Sequence, residues 1–434
     1  MIETAIVVCP RGELPEAAML GRRVAGLGLL TRALLTARHA GIERLLVVAS
    51  PAQQCELRRQ VAIDRCLDGH VQWVDGVSEI VPPAGCSTVM VPSVILQADA
   101  LRAWRVRADT ADGVAIPAGV EVGPWAVPSA LVGACVAAAR EGLAGLERFH
   151  QMLRSQARAR AVPWEGAAPQ VVRSARDVPG VVQRMLRTQR SAEDGPIVDR
   201  FVNRTISERI TRVAVRGPVT PNQVTVASLL TGLLGAWLLA HASFAASVSG
   251  LVLFQFSVVL DHVDGEIARL KFQFSRLGKW LDNVSDHVVD LAVIACVAWR
   301  VAVAEEAWSV LPLGIAAAAG VTGSFAVVFW WSLAERHTSG NEKARRGAET
   351  LGSMANRDGF CLALWATLLV GRPAWFLWTL AIGSNVYWVV WLAVCSLPAR
   401  GETRRTSTAA ACGPGPHRVS TGSGEAEADA HKPD

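Results

Sequence analysis

Residues 261–286 read DHVDGEIARLKFQFSRLGKWLDNVSD, with four spaced aspartates, two glycines and two arginines set among some of the most apolar sequence of the chain. On a helix, Asp261, Asp264, Gly265 and Ala268 fall at separations of three, four and seven residues and share one face. Asp282 and Asp286, four apart, share another, and a turn around Gly278 would bring the two faces together. Four carboxylates meeting at a bilayer edge repel one another, so a cation must compensate them. Hard oxygen donors in that number suit Mg²⁺ or Mn²⁺. Gly265 and Ala268 remove bulk where a ligand could reach the backbone, and Arg269 could pair with a phosphate. Pairing with Lys271, Arg276 and Lys279 alone would account for one interfacial acid, but not for two registered pairs with glycines between them.

Outward from this stretch the chain becomes membrane-like. Six apolar spans are expected, at about 223–241, 247–270, 280–301, 309–333, 358–372 and 374–397; most have the length a crossing needs, and the fifth is short. They explain a hydrophobic fraction of 51% in a chain of 434 residues that still carries 43 Lys and Arg. The loop HASFAAS has no Lys or Arg, whereas the loop near Lys271, Arg276 and Lys279, the connector 334–357 and the segment after Arg400 are basic. The positive-inside rule then places both termini in the cytoplasm. Trp280, Trp299, Trp308, Trp330, Trp331, Trp375 and Trp391 fall near span ends, as an interfacial aromatic belt requires.

Ahead of the spans, IVDRFVNRTISERITRVAVRG (197–217) alternates Val198, Val202, Ile206, Ile210 and Val213 with five arginines. That pattern predicts a basic amphipathic helix lying in the membrane interface. Residues 1–150 read as a soluble α/β domain. AIVVC, LLVVA, VQWV and TVMV are short buried strands, and the helical segment between the first two ends at Gly41. Residues 151–196 read as a helical and irregular connector, and 401–434 as a disordered tail rich in Ser, Gly, Ala and Pro. MIETAIVVCPRGE has an acid at Glu3 and too short an apolar run for a signal peptide, so the first half is expected to stay cytoplasmic. Nine scattered cysteines without a C-x-x-C pair support neither a zinc site nor a disulfide framework. A net charge of +5, with arginines beside apolar segments, favours membrane contact and no nucleic acid.

The pattern D-x-x-D-G-x-x-A-R, eight residues, G-x-x-x-D-x-x-x-D resembles the signature of the CDP-alcohol phosphatidyltransferase family. It is complete here as Asp261, Asp264, Gly265, Ala268, Arg269, Gly278, Asp282 and Asp286. PVTPNQVT (218–225) is similar to the segment that precedes the first span in many members. The resemblance implies a six-helix membrane enzyme (218–400) that displaces CMP from a CDP-alcohol donor with the hydroxyl of an acceptor alcohol. By position, Asp261, Asp264, Asp282 and Asp286 would hold the metal, with Asp286 also the general base. Asp264, Gly265, Ala268, Arg269 and Gly278 would line the CDP pocket. Arg357, in the NRD at 356–358, is expected near a phosphorylated acceptor, Asp290 behind the site, and His287 as a local hydrogen-bond partner. Membrane lipid and a second copy of the chain complete the expected partners.

The first half, with its junction into the spans, resembles the soluble domain of bifunctional inositol-1-phosphate cytidylyltransferase and di-myo-inositol-phosphate phosphate synthase proteins. VAGLGLLTRALLTARHAGIERLLVV (24–48) carries the similarity. Where such a nucleotidyltransferase-like domain has a glycine-rich loop with Arg and Lys, this chain has CPRGELPEAAMLGRR; where it has a metal-binding Asp, VMVPSVILQ. Triphosphate chemistry lacks its electrostatic support there, so the domain is expected not to make a CDP-alcohol. The alternatives are a non-catalytic membrane scaffold with a ligand-binding cytoplasmic domain, and an ion transporter. The second fits less well, because the acids lie near one membrane face rather than at the midplane.

Overall fold

The computed structural model describes residues 2–12, 15–61, 65–75, 86–108, 113–120, 123–155, 159–189, 202–304, 306–334 and 357–396. The expected tail (401–434) and most of the basic connector 334–357 lie outside the described residues.

The first half is built on short apolar runs. These form β1 (Thr4–Val8), β4 (Arg44–Val48), β5 (Val71–Val74) and β6 (Cys86–Met90), which pair in parallel in the order β5-β4-β1-β6. β1 is buried along its whole length, as a strand covered on both faces must be, so its sequence shows no alternation. β9 (Trp125–Pro128) adds antiparallel to β6, and β8 (Val114–Pro117) antiparallel to β9. The sheet continues past residue 150. Ala159–Val162, in the stretch expected to be a connector, forms β10 and pairs in parallel with β8 as the seventh strand. Its four residues are too few, and too rich in Ala and Arg, to signal a strand without the neighbour they pair with.

Two short antiparallel pairs stand apart from this sheet: β2 (Arg23–Val24) with β3 (Leu27–Gly28), and β7 (Val94–Ile95) with β11 (Gln170–Val171). The helices of this half are α1 (Pro15–Met19), α2 (Leu29–His39), α3 (Pro51–Val61), α4 (Ala98–Ala108), α5 (Ser129–Arg140), α6 (Leu143–Ser155) and α7 (Val178–Thr188). α2 stops where expected: Gly41 has φ +84°, which only glycine adopts without strain.

α8 (Arg204–Ala214) occupies the part of the amphipathic stretch that is described. It packs with its polar face inward. Ser207 and Thr211 donate to the Glu266 carboxylate at 2.8 and 2.6 Å, Arg204 lies 3.5 Å from it, and Val202, Ile206 and Val213 stay exposed. A buried carboxylate satisfied in this way fixes the helix against its neighbour, and the apolar side is left facing outward.

The second half is helical: α9 (Pro221–Leu239), α10 (Phe244–Lys271), α11 (Arg276–Ala304), α12 (Leu311–Ala334), α13 (Arg357–Leu369) and α14 (Pro373–Ser396). Among the described residues five of them, α9–α12 and α14, are long and apolar enough to cross a membrane, and the chain is an integral membrane protein. The fifth expected span, 358–372, does not reach that length among the described residues. α13 has 13 residues, which at 1.5 Å per residue cover about 20 Å of a hydrocarbon core about 30 Å thick.

Thr220 and Gln223 close a reciprocal cap at the start of α9, giving PVTPNQVT a structural reason. α9 and α10 touch backbone to backbone at Gly235 and Gly250: a Cβ at Gly235 would lie 2.9 Å from Phe254 N and 3.0 Å from Gly250 O. Neither atom can rotate away, so Gly235→Ala must push the helices apart. We expect it to destabilise the membrane domain by about 1–3 kcal/mol. Gly383→Ala, whose added methyl meets nothing, should be neutral or stabilising by up to about 1 kcal/mol. Thermal unfolding of the two variants separates the outcomes, and equal shifts would refute the close-contact argument.

The two halves are joined by a third apolar cluster that draws Val24, Ala25 and Leu29 from the sheet domain, Val182 and Val215 from the junction, and Val263, Ile267 and Leu270 from α10. Arg32 crosses this seam. It is almost fully buried, and its Nη2 donates to Val24 O at 2.7 Å and to Leu270 O at 2.8 Å. Lys271 Nζ donates to Gly217 O and Val219 O at 3.0 and 2.8 Å.

Candidate active site

Three helices build the site. α10 ends at Lys271, and Phe272 takes a left-handed conformation, φ 54°, that turns the chain sharply. α11 then starts at Arg276 and runs back beside α9 and α10. The turn brings the second acidic pair to the first. Asp261, Asp264 and Asp282 each offer a carboxylate oxygen within 4.8 Å of the other two.

Asp264 is buried and accepts a 2.6 Å hydrogen bond from Thr225 Oγ1, which fixes its rotamer from α9. Asp282 Oδ1 is buried and receives no hydrogen bond from a described residue. Three anionic groups gathered at that spacing, one with an orphaned oxygen, are unfavourable unless a cation lies among them. The donor set is all oxygen and compact, which fits a hard divalent ion.

The remaining expected residues fall around this trio. Asp286 lies one turn further along α11 and is not among those three. The 3.6-residue repeat explains this, since four residues advance a side chain by about 6 Å along the axis. Arg269 is exposed at the end of α10. A Cβ on Gly265 would come 3.4 Å from its Nη1, so the missing side chain leaves room for the guanidinium. Arg269 Nε donates to Gln189 Oε1 at 3.3 Å.

Ala268 is half-buried on the same helix. A Cβ on Gly278 would collide with Ser275 Oγ at 2.8 Å and crowd Asn222 Oδ1 at 3.1 Å. His287 stacks on Phe325 with ring centroids 4.5 Å apart, and its Nε2 is 3.4 Å from Thr322 Oγ1, so it serves packing against α12. Asp290 has one carboxylate oxygen buried beneath the site. The Arg357 side chain lies outside the described residues.

Thr225 and Asn222 are the residues that motif spacing did not single out. Their signal was present in PVTPNQVT, but a hydroxyl and an amide at the start of an apolar span are indistinguishable from cap residues until α9 is placed against α10 and α11.

The helical half is thus a membrane domain in which three carboxylates from two helices converge in an arrangement that could hold a metal ion. Residues 218–396 match the profile of the family described as CDP-alcohol phosphatidyltransferase. Among curated relatives, the chain is 32% identical over 144 residues to the bifunctional IPC transferase and DIPP synthase of Aquifex aeolicus. That match covers 33% of this chain and 32% of the relative. It is 34% identical over 127 residues to the protein of the same description in Thermococcus kodakarensis, with 28% of each chain covered. The matched stretch thus spans about a third of these relatives' length. Among solved structures, phosphatidylinositol phosphate synthase of Mycobacterium tuberculosis with CDP-DAG bound aligns with a TM-score of 0.36 and 20% identity, covering 44% of this chain and 93% of that one.

Proposed function

We propose that the protein transfers the phosphoalcohol or phosphatidyl group of a CDP-alcohol to an acceptor hydroxyl and releases CMP. The observation that supports this most is the convergence of Asp261, Asp264 and Asp282 inside the stretch that matches that family. These three carboxylates would hold Mg²⁺ or Mn²⁺. Bound there, the ion would neutralise charge on the attacked diphosphate and on leaving CMP.

The chain's own groups do the rest. Thr225 holds Asp264 in one orientation, so a ligand carboxylate need not reorganise. Arg269, exposed at the helix end, supplies a guanidinium to the diphosphate, and Gly265 and Gly278 leave the approach open. Asp286, one turn from the trio, accepts the proton of the acceptor hydroxyl as it attacks phosphorus, and the bond to CMP breaks. The acceptor is an inositol phosphate, another polyol or a lipid alcohol, with Arg357 near its phosphate. Both termini face the cytoplasm, α8 lies in the interface, and a second copy of the chain can complete the assembly.

The sheet domain has no part in this chemistry. The end of β1 leads into Cys9, Pro10 and Arg11; the Cys9 thiol is buried, which pushes its pKa up to about 12, and Gln53 Nε2 donates to Pro10 O at 3.0 Å. Asp75, after β5, is engaged by Gln54 and its backbone carbonyl by Arg140.

The test is incubation of the purified protein with Mg²⁺ and a panel of CDP-alcohols and acceptors, following CMP release and identifying the product. Asp286→Asn should abolish turnover yet bind CDP as tightly as the parent. Unimpaired CMP release by that variant refutes the base assignment, and no CMP release from any donor refutes the activity. Incubating the protein with CTP and inositol phosphate should give no CDP-inositol.

A further inference from the structure

Between the sheet domain and α8 lies a cavity of about 440 Å³, within the range of small-molecule sites. Arg22 and Arg23 enter it from β2 and the turn before it, and Arg212 and Arg216 from α8 and its end. Its apolar floor comes from Ala25, Val182 and Val215, and the first turn of α7, from Val178 to Gly180, closes one side. None of the site aspartates lines it.

Charge makes this cavity unusual. No carboxylate is in its wall, and none of the four arginines forms an ion pair among the described residues. Arg212 Nε donates to the Glu208 carbonyl, leaving most of the donors of the four guanidiniums for a ligand. Arg212 and Arg216 are four residues apart on one face and Arg22 and Arg23 adjacent, so like charges converge from two elements. The N-terminal end of α7 adds the positive pole of a helix dipole. The nearest cap acid, Asp177, accepts from the backbone N–H groups of Arg173 and Ser174, which holds its pKa low without directing it at the arginines.

Convergent cations around an apolar floor would repel one another unless an anion sits among them. We infer that this cavity binds a phosphate ester, with guanidiniums pairing its oxygens and the floor accepting the attached carbon chain. Two sources offer that chemistry at this place: the headgroup of an anionic phospholipid beside α8, and a soluble phosphate ester.

The experiment uses the full chain in phosphatidylcholine nanodiscs without divalent cations. Glycerol 3-phosphate is the soluble probe, read by calorimetry, and phosphatidylglycerol the lipid probe, read as retained lipid by native mass spectrometry. Arg22→Gln/Arg23→Gln and Arg212→Gln/Arg216→Gln should each weaken at least one probe tenfold or more. The control Arg209→Gln, an exposed α8 residue that does not line the cavity, should stay within twofold. Should a double variant fail to fold, Arg216→Gln alone, at an exposed position, should still weaken binding at least threefold. Whichever probe is lost names the source. If neither probe binds the parent, or the cavity variants bind both as the control does, the inference falls.

Discussion

Asp282→Asn lowers CMP release by about three orders of magnitude. Two unit charges about 4 Å apart interact by about 4 kcal/mol at the effective dielectric of a partly buried site. Replacing one of three carboxylates by a neutral amide removes attraction of that order from a bound cation, and each 1.4 kcal/mol is a factor of ten in rate. The sign on stability is opposite in the two states of the protein. Without metal, the substitution relieves repulsion between Asp282 and its neighbours Asp261 and Asp264, so the variant should unfold at a higher temperature than the parent. With saturating Mn²⁺, the parent should gain stability by mass action and the variant gain little. Thermal unfolding with and without Mn²⁺, beside a CMP-release assay, checks both halves. A variant within threefold of parental activity, or one stabilised by Mn²⁺ as strongly as the parent, would remove the trio as the metal site.

Arg32→Met should loosen the seam between the two halves. The substitution keeps apolar volume but strips donors from Val24 O and Leu270 O, carbonyls that sit in a buried cluster. Leaving such acceptors unpaired costs about 2–4 kcal/mol. That corresponds to a fall of roughly 5–10 °C in the unfolding of the sheet domain. The guanidinium also lies 5.8 Å from the Phe272 ring centre, at the turn that sets the angle between α10 and α11. Burial brings its pKa down to about 10, so it remains charged at neutral pH, held by carbonyl dipoles rather than by an acid. Hydrogen exchange should rise in residues 23–28 and 268–273 together, because one side chain bonds both segments. Exchange confined to one segment, or unchanged melting, would show that the seam does not depend on Arg32. Arg32→Lys should fall between, since its ammonium keeps charge and donors but sits on a shorter side chain than the guanidinium whose Nη2 reaches both carbonyls.

Much was written in the chain itself. The spacings of three and four in the aspartates need only helical geometry to place each pair on one face. Continuous apolar runs such as IVV and LLVV announced strands covered on both faces. Five spans stood out by length alone, because hydrocarbon thickness is a ruler that acts on any sequence.

Tertiary structure decided what depends on distant partners. Ala159–Val162 becomes a strand only because β8 offers it a free edge. α8 turns its serine and threonine inward only because Glu266 is buried opposite, and a hydrophobic pattern cannot state which side of such a helix will be covered. Which carboxylates meet is likewise fixed by the turn at Phe272 and by Thr225 reaching across from α9, and both are relations between elements rather than properties of any one. Local sequence sets dihedral preferences and the face on which a group lies; the distances between faces, which chemistry requires, come from packing alone.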